Sequence, residues 1–499
     1  MQRIVTFLMI FFLEIVSTNV SAQVNGYKED IQGIPVIHAW GSDYEMGYAL
    51  GYLDGDRFAI MMEQIILPSY GIYWELERTC FNTYFTVHPR IEEMISGIID
   101  GIGDRPDSLL FSPTLGRYYD NLDIHVGNAL TDITAVMFGK SDQACTSLSA
   151  WDAATASDPE LLGAPLLARN LDSEYHPLLA EMHVIKALSP DSGNRTVTYG
   201  YPISLDCSTA MNEHGVCVTR NAAYHDTISS YDPPFMPIGY AALIGLMEED
   251  FDSSGVYDLE DLLTALTTWN RAPSKNLHVI APRTIAYMDE PAVVVEINND
   301  QGYVFRTAES DPVLGPEHMA ATNHFRLLYP PSACSRYELL SDSIAADPAI
   351  TINRSWNLMG ECDITGWWTY LSVIFLPESR KTGIAFCDSI EESWEKDPVW
   401  FTWDMLFPST GIEPTTRSNE INFISIFPNP SSSKITIELS RSPQNSTHMT
   451  MYNPNGQQLI TQPITKPQTE IDISYLPVGI YIVKVWNDKD VLVQKVVKQ

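Results

Sequence analysis

Positive charge is scarce in this chain: 30 Lys and Arg stand against 63 Asp and Glu over 499 residues, a formal net charge of −33. So acidic a surface repels phosphate backbones and anionic headgroups, which excludes nucleic acid as a partner. Long apolar runs are equally scarce. The one at residues 3–20 follows a short basic start and ends on Val20, Ser21 and Ala22, the small residues a signal peptidase reads. Residues 1–22 are therefore expected to be a removed signal peptide. No later run has the length a bilayer demands, so no integral membrane segment is expected in the mature chain. Paired metal-type cysteines are absent as well. None of Cys80, Cys145, Cys207, Cys217, Cys334, Cys362 and Cys387 forms a C-x-x-C spacing, and neither a metal nor a cofactor is expected. Seven is an odd number, and in an exported chain it leaves one thiol over. Cys207 and Cys217 flank a tight turn and are the first pair expected to bridge. Cys145 is the expected free thiol.

What is present divides the chain into segments. Residues 33–39 read as a strand, and residues 44–67 carry apolar residues at helical spacing, with Gly47, Ala49, Gly51 and Gly55 among them. Small residues along a helix permit close packing on a neighbour. Residues 89–103 and 120–138 also read as helices, so 23–144 is expected to be a helical segment. From Cys145 the pattern changes to short strands at 146–154, 165–170, 181–188 and 196–201, followed by a turn at 211–215 and a returning strand at 216–223. Helical periodicity returns at 238–249 and 259–269, and strands are expected at 277–281, 284–287 and 292–297. A helix at 335–344 and a hairpin of 369–375 with 382–386 close the segment. Sheet, helices and sheet again imply a layered α+β domain over 145–390. Residues 391–421, rich in charge, Pro, Ser and Thr, read as a linker, and 422–499 hold about seven short strands, the count of a small β-sandwich.

Cys145 follows the small Ala144, and one hairpin later the chain delivers Arg169-Asn170-Leu171-Asp172. A free thiol titrates at roughly 8.5, so attack on a carbonyl near neutral pH needs a base or a fixed positive charge. If the Ala144–Cys145 bond were cut, the new α-amine, titrating at roughly 7.7 to 8, would be such a base on the same residue. Arg169 would tune the thiol and Asp172 would accept from the amine. Odd spacing on a strand places Arg169 and Asp172 on opposite faces, so they share a pocket only if the ladder ends or bulges near Leu171. An ordinary surface ion pair is the competing reading.

The runs CTSLSAWDAAT and LLARNLD resemble the start of the mature chain in N-terminal-nucleophile hydrolases of the choloylglycine hydrolase and penicillin V acylase type, and more closely their isopenicillin N acyltransferase-like relatives. AMNEHGVCVTRNAA, ATNHF, CSRYELL and TYLSVIFLPESRKTGIAF follow in the order that resemblance requires, and GSDYEMGYALGYLDGDRF is similar to the helix preceding the nucleophile. The resemblance covers about residues 35–390. It implies an αββα four-layer sandwich, self-cleavage between Ala144 and Cys145, and Cys145 as nucleophile tuned by Arg169 and Asp172. Asn221 and Asn323 are its candidates for the oxyanion site, where preorganised amide donors are worth about 3 to 4 kcal/mol. Arg336 is a candidate for binding a substrate carboxylate, with a plain ion pair as the alternative. Trp151, Tyr175, Tyr201, Tyr224, Trp367 and Trp368 are acyl-pocket or core aromatics. His324 is more readily structural than a partner of a catalytic thiol.

FPNPSSSKITIEL, MYNPNGQQL and IDISYLPVGIYIVKV resemble the type A sorting domain of the type IX secretion system of Bacteroidetes. That implies passage to the periplasm, transport across the outer membrane by the type IX machinery, and release or anchoring at the cell surface. The expectation is a secreted, self-processing hydrolase or acyltransferase acting on linear carbon–nitrogen amide bonds of a small molecule through a Cys145 thioester. Its rivals are a lipid ester or N-acyl lipid hydrolase of the same fold, and a surface binding protein that has lost the chemistry.

Overall fold

The structure is a computed structural model that describes residues 24–105, 107, 109–138, 144–223, 232–271, 274–364, 366–408, 424–439, 447–453, 457–486 and 491–499. The expected signal peptide, Tyr224 and most of the expected linker lie outside these residues. The chain divides into two compact units, 1–408 and 409–499.

The first unit opens with a hairpin of β1 (Gly26–Ile31) and β2 (Ile34–Gly41). The chain continues through α1 (Asp43–Met61), a π-helical turn at Met62–Ile66, α2 (Leu67–Tyr70), α3 (Trp74–Tyr84) and α4 (Pro89–Gly103). A small hairpin of β3 (Phe111–Ser112) and β4 (Arg117–Tyr118) leads to α5 (Asn121–Asn128) and α6 (Leu130–Phe138). Next come β5 (Ala144–Ala150), β6 (Leu166–Ser173), α7 (Pro177–Ala180), β7 (Val184–Pro190), β8 (Thr196–Gly200), β9 (Thr209–Asn212) and β10 (Cys217–Ala222). After α8 (Ile238–Met247) and α9 (Leu259–Thr268) the chain returns to β11 (Lys275–Ile280), β12 (Ala292–Asn298), β13 (Gly302–Arg306) and β14 (His318–Ala321). Helices α10 (Ser335–Ala346) and α11 (Ile352–Glu361), strands β15 (Trp368–Leu376), β16 (Lys381–Phe386) and β17 (Val399–Phe401), and α12 (Trp403–Leu406) complete it.

Strand alternation sorts these elements into four layers. A nine-stranded sheet runs β1-β2-β7-β8-β9-β10-β11-β12-β13 and a six-stranded sheet runs β14-β5-β6-β15-β16-β17. On β12, Val293 and Val295 face a core shared with α1, α4, α8 and α9, while Val294 between them faces the other sheet. On β6, Leu167 faces the inter-sheet core and Ala168 faces α10 and α11. Helices, sheet, sheet and helices therefore stack around three apolar layers, the αββα order expected.

The helix layer is tight where the sequence has small residues. Gly47 and Gly51 on α1 face Gly97 and Gly101 on α4 at i, i+4 spacing on both helices. A Cβ on Gly47 would stand 1.9 Å from the Met94 carbonyl oxygen, and one on Gly97 would stand 2.0 Å from that of Tyr44. Only hydrogen fits at this backbone approach. The expectation of close packing by the glycines of residues 44–67 is met.

Three boundaries depart from expectation. Residues 23–144 are not purely helical, because β1 and β2 extend the nine-stranded sheet and β2 lies parallel to β7. The segment is thereby built into the domain that follows it. Residues 284–287, expected as a strand, contain a 3-10 turn at Arg283–Ile285. The expected linker starts too early: β17 pairs with β16, and Phe401, Trp403 and Leu406 are buried in the inter-sheet core. The charged residues before Val399 obscured a strand only three residues long.

The cysteine expectation is corrected. All seven cysteines are free and buried, and Cys207 and Cys217 do not bridge. Cys207 belongs to the helix-side core and Cys217 to the inter-sheet core, on opposite faces of the nine-stranded sheet. The turn they flank has the expected form, with Gly215 at φ 80° and Asn212 Oδ1 accepting from the His214 and Val216 amides.

The second unit is a β-sandwich. One sheet is β18 (Ile424–Phe427), β19 (Lys434–Leu439) and β22 (Gln468–Asp472); the other is β20 (His448–Tyr452), β21 (Gln458–Pro463), β23 (Gly479–Trp486) and β24 (Val491–Lys498). Ile435, Ile437, Met449, Met451, Val483 and Val485 fill its core at every second position. All seven strands fall where the alternation places them.

Candidate functional site

Cys145 lies second on β5 with no exposed surface, and Ser147 and Ser149 follow on the same inter-sheet face. Each polar atom of Cys145 is held by a different residue. Arg169 Nη2 lies 3.4 Å from Sγ. The amide N–H donates to Asn323 Oδ1 at 3.0 Å, and the carbonyl oxygen accepts from Arg336 Nη1 at 2.5 Å.

These holders are held in turn. Arg169 is 1% exposed; it donates from Nη1 to Thr209 Oγ1 at 2.7 Å and from Nη2 to the Arg220 carbonyl at 2.9 Å. The guanidinium thus bridges both sheets at the thiol, and no Arg169–Asp172 ion pair forms. Asn323 Nδ2 donates to the Ala222 carbonyl at 2.6 Å. Arg336 also donates to Thr146 Oγ1 at 2.8 Å and to Asn323 Oδ1 at 2.6 Å. Its expected substrate-carboxylate role gives way to a different one: from the first turn of α10 it clamps the nucleophile strand to Asn323.

The bulge that would bring Arg169 and Asp172 to one face of β6 is absent: the β5–β6 register runs unbroken, the two stay on opposite faces as their odd spacing dictates, and the irregularity lies on the neighbouring strand. Asp172 pairs with Thr369 but Leu171 pairs with Leu371, so Tyr370 is the extra residue. Asp172 stands directly opposite Ala144 in the β5–β6 ladder. Its Oδ1 accepts from Thr369 Oγ1 at 2.8 Å, while Oδ2 is buried without a partner. Burial pushes its carboxyl up to about 7, against the pull of Arg336 and Arg169.

Asn221 is fully buried on the same inter-sheet face of β10, but its amide hydrogens are spent. Nδ2 donates to the Ala321 carbonyl at 2.8 Å and to Ser147 Oγ at 3.2 Å, and Oδ1 has no partner. In this arrangement Asn221 offers an acceptor, so the expected oxyanion-donor role is not what the geometry provides. His324 lies beside Cys334, the cap residue of α10.

Several supporting residues carry no local sequence signal. Asn276 Nδ2 donates to the carbonyls of Thr322 and His324, gripping the backbone on either side of Asn323. Buried Glu296 accepts from the Arg306 guanidinium at 2.7 Å and from the amides of Arg326, Leu327 and Leu328. His278 joins Ser147 and Ser149. Each is an isolated polar residue in a β-pattern, and only the folded ladder shows what it faces.

A cavity of about 280 Å³ opens beside this cluster. Leu171, the ladder partner of Cys145, and Arg220 line it on the sheet side; Met61, Ile65, Ile66 and Leu130 line it from the segment before Ala144. Its walls are mainly apolar, with Tyr201, Lys186 and the Asp206–Arg220 ion pair at its polar part. Lys186 donates to the Tyr201 carbonyl, and burial holds its amine down to about 8. Of the other expected pocket aromatics, Trp151 packs in the inter-sheet core and Tyr175 packs against Trp368 with the rings tilted by 54°.

Among the described residues, one carboxylate group has metal-ligand proximity: Asp250, Asp252 and Asp261, with ligand atoms within 4.8 Å of one another. It lies in the α8–α9 connection of the helix layer and contributes nothing to the Cys145 cluster. No helix among the described residues is long and apolar enough to cross a membrane.

Solved structures similar to this chain include a Caenorhabditis elegans N-acylethanolamine-hydrolyzing acid amidase ortholog, at 13% identity and a TM-score of 0.35, covering 47% of this chain and 93% of that one. A mutant conjugated bile acid hydrolase from Clostridium perfringens is similar at 13% identity and 0.27, covering 52% and 97%. A second variant of that hydrolase is similar at 10% identity and 0.22, covering 53% and 89%. A search of curated protein sequences gives no match. Residues 425–499 match the secretion system C-terminal sorting domain. The second unit is accordingly a type IX sorting domain, and the chain is a secreted cargo bound for the cell surface or the space beyond it.

Proposed function

We propose that the first unit is a self-processing cysteine amidohydrolase whose nucleophile is Cys145. The observation that carries this reading is the separate grip on the thiol, amide nitrogen and carbonyl of that one residue. An ordinary buried cysteine in a β-strand needs none of these side chains.

In the precursor, the Cys145 sulfur attacks the Ala144 carbonyl. The S–C bond forms, the C–N bond breaks, and the released nitrogen takes up a proton to become an α-amine. Water then hydrolyses the thioester, leaving Ala144 as a carboxylate and Cys145 with a free thiol and a free amine. Asp172, opposite Ala144 with one oxygen unshared, is placed to accept from that amine. In turnover the amine takes the thiol proton, the thiolate attacks the substrate amide, and the leaving amine takes the proton back. Arg169 supplies fixed positive charge at the sulfur. Asn323 is assigned the oxyanion through its donor Nδ2, which lies at the Ala222 carbonyl while its Oδ1 accepts from the Cys145 N–H.

The cavity gives the substrate its shape: a linear amide whose apolar acyl part lies between Leu171 and the side chains of α1 and α6. Because that wall belongs to the segment before Ala144, and β1 and β2 are built into the sheet, the two pieces remain associated after the cut. Cys145→Ala is expected to run as one uncut chain on a denaturing gel while the parent yields two pieces. A cut at Ala144 in that variant would sink the mechanism. Parallel rates on acyl amides and acyl esters decide which bond the thioester is formed from.

A further inference from the structure

We propose, on the amidohydrolase reading above, that His278 is a positioning residue: by accepting the hydrogen bond of the Ser147 hydroxyl it holds Asn221 in the one orientation that leaves Asn221 Oδ1 as a buried, unshared acceptor. The contacts fix the direction of the chain. Ser147 Oγ has a single proton and three polar neighbours: Asn221 Nδ2 at 3.2 Å, His278 Nδ1 at 3.0 Å and the Ala321 carbonyl at 3.4 Å. Asn221 Nδ2 can only donate, so the Ser147 oxygen accepts there and its proton must leave in another direction. The Ala321 carbonyl lies farther away and already accepts from Asn221 at 2.8 Å. His278 Nδ1 is the nearer acceptor.

His278 suits the task because it is neutral. It is fully buried between the sheets, and burial with the nearby Arg306 holds its imidazole down to about 3. A neutral ring carries one N–H. With Nδ1 accepting from Ser147, that hydrogen sits on Nε2 and donates to Ser149 Oγ at 2.8 Å. The series Asn221 to Ser147 to His278 to Ser149 then runs in one sense from the nine-stranded sheet to the nucleophile strand and back. Cys145, Ser147 and Ser149 share a face of β5 at every second position, so the same contacts fix that strand beneath the thiol. The product is the Asn221 oxygen, which accepts no hydrogen bond. In a buried site such an oxygen is costly to leave unpaired. An N–H of the Cys145 amine or of a substrate amide satisfies it.

The test uses the full chain and four variants: His278→Leu, His278→Asn, Ser147→Ala, and His278→Leu combined with Asn221→Ala. The self-cleavage rate is read on gels, kcat and KM on a straight-chain acyl aminocoumarin amide, and folding by melting temperature. His278→Leu and Ser147→Ala are expected to lower kcat and self-cleavage about 10-fold, the effect of losing one orienting hydrogen bond, with KM nearly unchanged. His278→Asn, whose amide oxygen replaces Nδ1, is expected to recover most of the loss. Asn221→Ala is expected to add little to His278→Leu, as for residues in one chain. Folded His278→Leu with parental rates, or a loss that Asn does not rescue and Asn221→Ala simply adds to, overturns the inference. If His278→Leu does not fold, Ser147→Ala decides alone. A parent chain that neither cuts itself nor hydrolyses the amide refutes the amidohydrolase reading instead.

Discussion

Glu77 on α3 is fully buried, and neither carboxylate oxygen has a hydrogen-bond partner. Burial alone pushes its carboxyl from an ordinary 4.5 up to about 7. The folded state therefore binds this proton more tightly than the unfolded state does. Stability from this group is fully present below about pH 4.5, falls as pH rises toward 7, and levels off above. At about 1.4 kcal/mol per decade of proton affinity, the charged form is disfavoured by about 3 to 4 kcal/mol in the folded chain. Glu77→Gln keeps the shape and removes the charge. It is expected to match the parent near pH 4.5 and to exceed it by about 3 kcal/mol at pH 8. Denaturant unfolding of both chains at the two pH values measures the difference, and titrations common to both cancel. Parallel stability curves would refute the reasoning, since they would mean that Glu77 finds a cation or water when folded.

Gly47→Ala is expected to destabilise the first unit by about 1 to 3 kcal/mol, because its Cβ would meet the Met94 carbonyl oxygen at 1.9 Å; an unchanged melting temperature counts against the close α1–α4 contact. Arg306→Met strands the buried Glu296 carboxylate and is expected to cost about 3 to 5 kcal/mol, with slower self-cleavage because Glu296 also anchors the Arg326–Leu328 backbone after Asn323. Alkylation of the chain in denaturant without reductant is expected to label all seven cysteines; protection of Cys207 together with Cys217 would restore the bridge between them.

Much of the fold was legible. The helix at 89–103 coincides with α4, and the seven strands of the sorting domain were found almost residue for residue, since local periodicity and turn residues specify both. Helices α3 and α11 and strand β13 were not found. Strand β13 shows why: in this five-residue edge strand Tyr303, Val304 and Phe305 run consecutively and give no alternation of apolar and polar residues.

Cys145, Arg169 and Asp172 were nominated from the sequence by a thiol with Arg and Asp one hairpin on, and Asn323 by the ordered resemblance alone. Their duties were not. Whether Asn221 donates or accepts depends on Ala321 and Ser147, which lie 100 and 74 residues away in sequence. Arg336 became a clamp only when α10 brought it to the Cys145 carbonyl 191 residues back. The sequence by itself determined the export signal at the C-terminus, the strand order of hydrophobic and polar positions, and the residue proposed as nucleophile. Tertiary structure decided which face each cysteine occupies, that Asp172 stands opposite Ala144 in the β5–β6 ladder, and which amide hydrogens are already used. Local pattern sets periodicity, which acts over a few residues. Hydrogen-bond direction and burial belong to groups that meet only when the two sheets close on each other.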